Sequence, residues 1–317
     1  MLNSNYKRLL FLTIITVICI GLYLGYQLPS RWQYAIYYRS LTLAAIVLTG
    51  IAIALSTMLF QILINNRILT PSVLGLDSLY VLLYTTVVFL FGGKLVDNLD
   101  VVSRFIYSNI LMLFFALLLY RFILRNNSSN LYFLLLIGII CNTFFHSVSL
   151  FMEVLIDPNE YQIIQDVSFA SFSHINTTIL PLALGIIVIP IIYIFFNISI
   201  LNVLTLGRDQ AISLGVDYNK ISKRLLIIIA LLVSVSTALV GPIMFLGLIV
   251  MNLTFEFIRS NRYQILLPAS MLIAIITLLG GQFIISQLLN FSTSISVVIN
   301  FFGGLYFLYL ILGHKVR

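Results

Sequence analysis

Long apolar runs separated by short polar segments set the pattern of the chain. Residues 40–66, 126–152, 175–207 and 263–313 contain no Asp, Glu, Lys or Arg. Each reaches or exceeds the roughly 20 residues that a helix needs to cross about 30 Å of hydrocarbon. Reading these runs against their Gly, Pro and charged breakers predicts ten spanning helices, near 8–26, 41–64, 76–93, 104–124, 130–152, 177–197, 222–240, 242–258, 265–286 and 294–313. The uncharged run 225–255 is too long for one ordinary span, and Gly241-Pro242 marks its break. No linker divides the chain, so residues 1–317 are expected to form a single all-α, polytopic membrane domain.

Composition agrees with that pattern. At 61% hydrophobic residues and a mean hydropathy of +1.11, the chain carries more apolar surface than one water-soluble core of this size can hide. The net charge of +7 comes from basic residues scattered between the runs, which fits membrane orientation better than nucleic-acid binding. With the N-terminus inside, 13 of the 17 basic residues fall on cytoplasmic segments. Arg31, Arg39, Lys94 and Arg104 fall outside, so both termini are expected in the cytoplasm. The first run follows Lys7 and Arg8 as a signal peptide would, but no small-residue cleavage site precedes "YQLPSRW", so it is expected to be retained as a span. Cys19 and Cys141 lie inside apolar runs and suggest neither disulfide nor metal site.

Several chemistries lack their residues. "FGGKL" at 91–95 fails the phosphate-loop pattern in spacing and hydroxyl, so the chain is not expected to hydrolyse ATP alone. Ion-coupled carriers place ionisable groups near the bilayer midplane, whereas Asp77, Glu153 and Glu256 fall close to predicted span ends. His146 is expected to be a neutral, hydrogen-bonded packing residue. His174 and His314 lie at loop or tail positions, leaving no histidine pair for haem or zinc. No paired-carboxylate, H-E-x-x-H or Ser/His constellation supports an enzyme.

Three polar or broken segments stand out. "NNRILTPSVLGLDSLY" (65–80) reads as a cytoplasmic turn, and "ALVGPIMFLGLIVMN" (238–252) places Gly and Pro in the middle of apolar sequence. "GRDQAISLGVDYNKISKR" (207–224) holds six of the chain's 27 formally charged residues. It reads as a short amphipathic helix, a turn and a second helix. Ala211, Ile212 and Leu214 are expected to face membrane protein, and Arg208, Asp209 and Gln210 water. Gly215 closes the first helix, and Asp217 or Asn219 caps the next. Such a rigid charged knob suits docking to a soluble motor.

Residues 48–78, 206–250 and 300–313 resemble, in order, the signature regions of iron-chelate and vitamin B12 ABC importer permeases, the FecCD/BtuC-like family. "NNRILTPSVLGLDSLY" and "LIDPNEYQIIQD" are similar to permease subunits of catecholate or petrobactin-type siderophore importers. The resemblance implies a type II importer permease with ten helices in the bacterial cytoplasmic membrane, working as a dimer that is typically a heterodimer. It also implies two separate ATP-binding subunits, which carry ATP and Mg, and a substrate-binding lipoprotein or periplasmic protein. No cofactor is expected in this chain. Residues 201–222 would form the coupling helices, with Gly207, Arg208, Asp209, Ala211, Leu214 and Gly215 as ATPase-coupling residues. The family's usual acid after the first glycine is Arg208 here, with Asp209 next. Of the two arginines in the family's "RLPRT" only Arg39 is kept, making it the leading binding-protein docking residue and Arg31 the second. Asn142, Thr143, Ser147, Ser149, Ser294, Ser296 and Asn300 are candidates for lining the pathway, with Ser292 beside them, and "RNNSSN" (125–130) for gating it. Vitamin B12 or haem as cargo, and an ion-coupled secondary carrier, stay open as alternatives.

Overall fold

Crossing hydrocarbon leaves a single chain little choice but helix, because each backbone N–H and C=O must then be satisfied within its own segment. The computed structural model describes residues 2–27, 32–93, 100–124, 131–173, 175–287 and 293–313, and among them there is helix and no strand. Ten helices correspond to the ten expected spans: α1 (Leu2–Gly25), α2 (Trp32–Ile64), α3 (Leu76–Phe91), α4 (Val101–Leu124), α5 (Leu131–Leu155), α7 (Ile179–Phe196), α10 (Tyr218–Val240), α11 (Leu246–Phe257), α12 (Tyr263–Gln287) and α13 (Ile295–Gly313). Seven are long and apolar enough to cross a membrane, while α3, α11 and α13 present shorter apolar stretches. At 12 residues, α11 rises only about 18 Å. Three helices lie outside the ten expected segments or on their margins: α6 (Pro158–Ser168), α8 (Ile198–Leu204) and α9 (Arg208–Ser213).

Two helices form the axis of the bundle. From Ala54 to Ile64 every residue of α2 is buried, on all sides of the helix rather than along one stripe. It packs lengthwise on α10 and α12, and α10 in turn packs on α4 and α7. Between such apolar helices association depends on close fit, and at Gly50 a Cβ would already lie 3.4 Å from the backbone of Ile275 on α12. The peripheral helices turn apolar side chains outward: Leu10, Ile14, Val17 and Ile18 on α1, and Ile189 and Phe196 on α7, are exposed. That surface suits lipid, not water.

The same end of the bundle collects the ends of many elements. Arg8 Nη1 donates to the Phe257 carbonyl (2.8 Å), the Tyr263 N–H donates to Asn202 Oδ1 (3.3 Å), and the Tyr218 hydroxyl donates to the Leu63 carbonyl (3.4 Å). Arg67 stands over the Phe255 ring at 4.6 Å. Arg8, Arg67, Arg259, Arg262 and the 207–224 knob are thereby gathered at one end, as the charge pattern predicts.

The two broken segments are tucked into the bundle rather than lying at its surface. After α2, Gln61 Nε2 donates to the Arg67 carbonyl (2.7 Å), and a 3-10 turn, Pro71–Leu74, runs back against the middle of α5. A Cβ on Gly75, which has φ +80°, would lie 3.0 Å from the Asn142 amide nitrogen, and one on Gly138 would meet Leu74 at the same distance. α3 therefore starts deep in the bundle, which is why 16 residues are enough to finish the passage. The expectation of a simple turn is corrected to an inward 3-10 turn, while Asp77, at the start of α3 as expected, is carried into the bundle with it. At the second break, Gly241, Pro242 and Ile243 are buried. Residues 170–172 thread beside them: the Ser171 N–H donates to the Val240 carbonyl (2.9 Å), the Ala170 N–H to Ser296 Oγ (3.0 Å), and the Thr42 hydroxyl to the Phe172 carbonyl (3.4 Å). Protein surrounds the broken backbone and satisfies it, the condition under which such a break is tolerated at membrane depth.

Candidate functional site

α3, α5, α6, α13 and the 242–244 break line an open cavity of about 270 Å³. On α5, His146, Ser149, Leu150 and Glu153 fall at i, i+3, i+4 and i+7, so one helical face is aimed into it. α6 follows because Pro158 starts a helix at its first position and Asp157 lies just before it. It contributes Tyr161, Ile164, Gln165 and Ser168, with Gln165 Nε2 donating to the Tyr161 hydroxyl at 3.1 Å. Ser296 and Asn300 enter from α13, and Asp77 and Ser78 from the first turn of α3.

Three of the sequence-selected pathway residues, Ser149, Ser296 and Asn300, line this cavity. Asn142 borders it by accepting the Ser78 hydroxyl, and Ser294 Oγ lies 3.2 Å from Ser296 Oγ. Thr143 and Ser147 are exposed on α5 without lining the cavity and return their hydroxyls to the Ile139 and Thr143 carbonyls (3.0 and 2.8 Å). Ser292 and the 125–130 segment lie outside the described residues.

Sequence reasoning missed the charged part of this wall. His146 is exposed toward the cavity rather than packed in a core, and Glu153 stands on its face of α5. Asp77 is 3% exposed, and its Oδ1 accepts the Thr237 hydroxyl of α10 at 2.9 Å. The spacing of His146, Ser149 and Glu153 was a readable signal. The placement of Asp77 was not, because it depends on the inward turn at 71–75.

The knob follows its expected outline with one correction. Gly207 (φ +99°) precedes α9, and Gly215 (φ +82°) ends it with its N–H on the Ile212 carbonyl at 2.9 Å. Asp217 caps α10 by accepting the Lys220 N–H at 3.2 Å, and the Lys220 ammonium lies 2.8 Å from its other oxygen. These two contacts hold the Asp217 carboxyl below the usual aspartate range. Ala211 is fully buried, and Arg208, Asp209 and Gln210 are exposed, as expected. Ile212 and Leu214 point outward instead of into the bundle, beside exposed Leu206. A six-residue helix offers little more than one inward position, and Ala211 fills it. The knob thus presents an apolar tip ringed by charge, the composition of a protein interface.

At the opposite end, Arg39 Nη1 donates to the Tyr23, Leu24 and Tyr26 carbonyls (3.2, 3.2 and 2.7 Å), and Nη2 to that of Gln27 (3.4 Å). The guanidinium closes the C-terminus of α1, where a cation is favoured by the helix dipole. Arg31 lies outside the described residues.

Known proteins match along nearly the whole chain. The model of the FecCD transport family matches residues 9–313. The chain is 50% identical over 308 residues to the petrobactin import system permease protein YclO of Bacillus subtilis (strain 168), covering 97% of this chain and 98% of that one. It is 33% identical over 321 residues to the petrobactin import system permease protein FatC of Bacillus anthracis (98% and 90%), and 29% identical over 270 residues to a second protein so described from that organism, FatD (84% and 78%). A solved inward-facing conformation of a metal-chelate type ABC transporter superposes with a TM-score of 0.84 at 22% identity, over 97% of this chain and 99% of that one, a likeness of fold.

Proposed function

The chain belongs to the FecCD transport family, and from that membership we propose that it is a permease subunit of an ATP-binding-cassette importer that moves a ferric siderophore of petrobactin or catecholate type across the bacterial cytoplasmic membrane. The half-identity to the Bacillus subtilis petrobactin permease, sustained along nearly all of both chains, carries this reading. The chain provides a path and no reaction. Its partner across the path is a second permease; similarity to both FatC and FatD, stronger to FatC, favours a heterodimer of unlike subunits.

ATP is hydrolysed on separate subunits that dock at residues 201–222. The apolar tip of Leu206, Ile212 and Leu214 enters the ATPase surface, and Arg208 and Asp209 set its register. Motion reaches the pathway through α10, which starts at the knob and bonds through Thr237 to Asp77 beside the cavity. With the knob cytoplasmic, both termini are cytoplasmic too, and a binding protein delivers cargo at the opposite end. Arg39 serves that end by holding the α1–α2 corner in shape. Residues 1–317 act as one domain.

The test is uptake of radiolabelled ferric petrobactin by iron-starved cells lacking this chain. Uptake is expected to fall to background, to return when the chain is resupplied, and to stay low with a Gly215→Arg version. Undiminished uptake without the chain would refute the assignment.

A further inference from the structure

The cavity between α3, α5, α6 and α13 has a chemical bias that a mere passage does not require. Its wall carries two carboxyl groups, those of Asp77 and Glu153, and among the described residues no lysine or arginine lines it. Among the described residues the one ion pair is Lys220–Asp217, on the knob, so Glu153 has no basic partner of that kind. Its titratable neighbour on the cavity wall is His146, two turns back on the same face. Between them Ser149 is 3% exposed, and its Oγ has no hydrogen-bond partner among the described residues. Across the cavity Asn300 Oδ1 is equally unpartnered. Helical hydroxyls in this chain ordinarily return to the carbonyl one turn back, as those of Thr85, Thr86, Thr143 and Ser147 do. A buried polar atom left without such a bond is costly, and of those among the described residues Ser149 Oγ and Asn300 Oδ1 are the two that share the wall of this cavity.

The partner must donate hydrogen bonds and carry positive charge. A metal ion fits poorly, because no group of three His, Cys, Asp or Glu able to hold one occurs among the described residues. An organic cation fits well: a carboxylate at one side, with a hydroxyl and an amide oxygen within the same small space, matches the N–H directions of an ammonium group. We propose that this cavity is a cargo subsite that takes a protonated amine carried by the transported chelate, with Glu153 supplying the charge and Ser149 Oγ and Asn300 Oδ1 accepting its N–H groups. The inference rests on the importer reading for its cargo, and it extends that reading to selectivity.

The test uses two synthetic ferric bis-catecholates that differ only in their linker, secondary amines in one and ether oxygens in the other. Binding of each, labelled with radioactive iron, is measured on the chain purified with its second permease subunit in nanodiscs. The amine probe is expected to bind roughly tenfold more tightly, the usual scale for one charge-assisted contact. Glu153→Gln and Ser149→Ala are each expected to bring the ratio toward one by weakening the amine probe more than the ether probe, and Glu153→Asp to keep most of the preference. Equal affinity of the wild-type protein for both probes overturns the subsite, as does an undiminished preference in both Glu153→Gln and Ser149→Ala. Selective displacement of the amine probe by sodium or potassium chloride, compared with choline chloride at equal ionic strength, assigns the site to an inorganic cation and also overturns it. Selective binding without cellular uptake of ferric petrobactin keeps the subsite and removes the importer reading; uptake without selectivity does the reverse.

Discussion

At the scale of single residues, the structure assigns work to side chains whose partners are remote in sequence. Arg39 was legible as an outward-facing cation, but the four carbonyls it holds belong to the end of another helix. Its removal leaves the last turn of α1 uncapped, and Arg39→Ala is expected to cost about 1–3 kcal/mol. The readout is the thermal unfolding midpoint of the purified protein in detergent, with Arg39→Lys recovering part of the loss. An unchanged midpoint together with lost stimulation by the binding protein would return Arg39 to a direct docking role. Asp77 offers a second case. Thr237→Val removes the donor to a buried carboxylate oxygen and is expected to destabilise by about 1–3 kcal/mol, more than the same change at exposed Thr143. The Asp77–Thr237 bond, which joins residues 160 positions apart, does not follow from local pattern.

At the scale of elements, apolar length was easily read, and interruptions were not. Each of the ten predicted spans contains a helix, because a long apolar segment in lipid satisfies its own backbone groups most directly as helix. α2 begins at Trp32 rather than near 41 because the polar-flanked stretch before Arg39 still continues the helix. α6 escaped because its sequence, "PNEYQIIQDVS", is polar and short, and the inward 3-10 turn because four residues carry no periodicity. Gly75 is the residue on which that turn depends: its φ of +80° and its contact with Asn142 both exclude a side chain. Gly75→Ala is expected to destabilise by about 1–2 kcal/mol and to slow uptake, whereas Gly304→Ala, with open space around it, leaves both unchanged. The knob was more legible, since Gly207, Gly215 and Asp217 are local signals, although the outward turn of Ile212 and Leu214 was not. Because the Asp217 carboxyl is held below its usual range, its cap is fully formed above about pH 4. It is lost only as pH falls through the lowered value. Amide exchange at Lys220 is therefore expected to keep the same protection factor at pH 5 and pH 7; a drop at pH 5 would contradict the cap.

At the scale of the whole molecule, two organising facts emerge together. Arg8, Arg67, Arg259, Arg262 and the knob gather at one end, with Arg39 at the other, as charge counting predicts, and α10 connects the knob to a cavity whose wall sequence reasoning recovered only in its hydroxyl and amide members. Family membership gives the fold and the transport role, and on the proposed reading α10, which starts at the knob and bonds through Thr237 to Asp77, is the route by which a push would reach the cargo. The direct measurement is ferric petrobactin uptake into proteoliposomes holding this chain, its second permease and the ATPase, with the binding protein added outside. Uptake is expected to require ATP hydrolysis and to vanish with Gly215→Arg although the complex still assembles. Accumulation driven by a proton or sodium gradient through this chain alone, without the ATPase, would contradict the account.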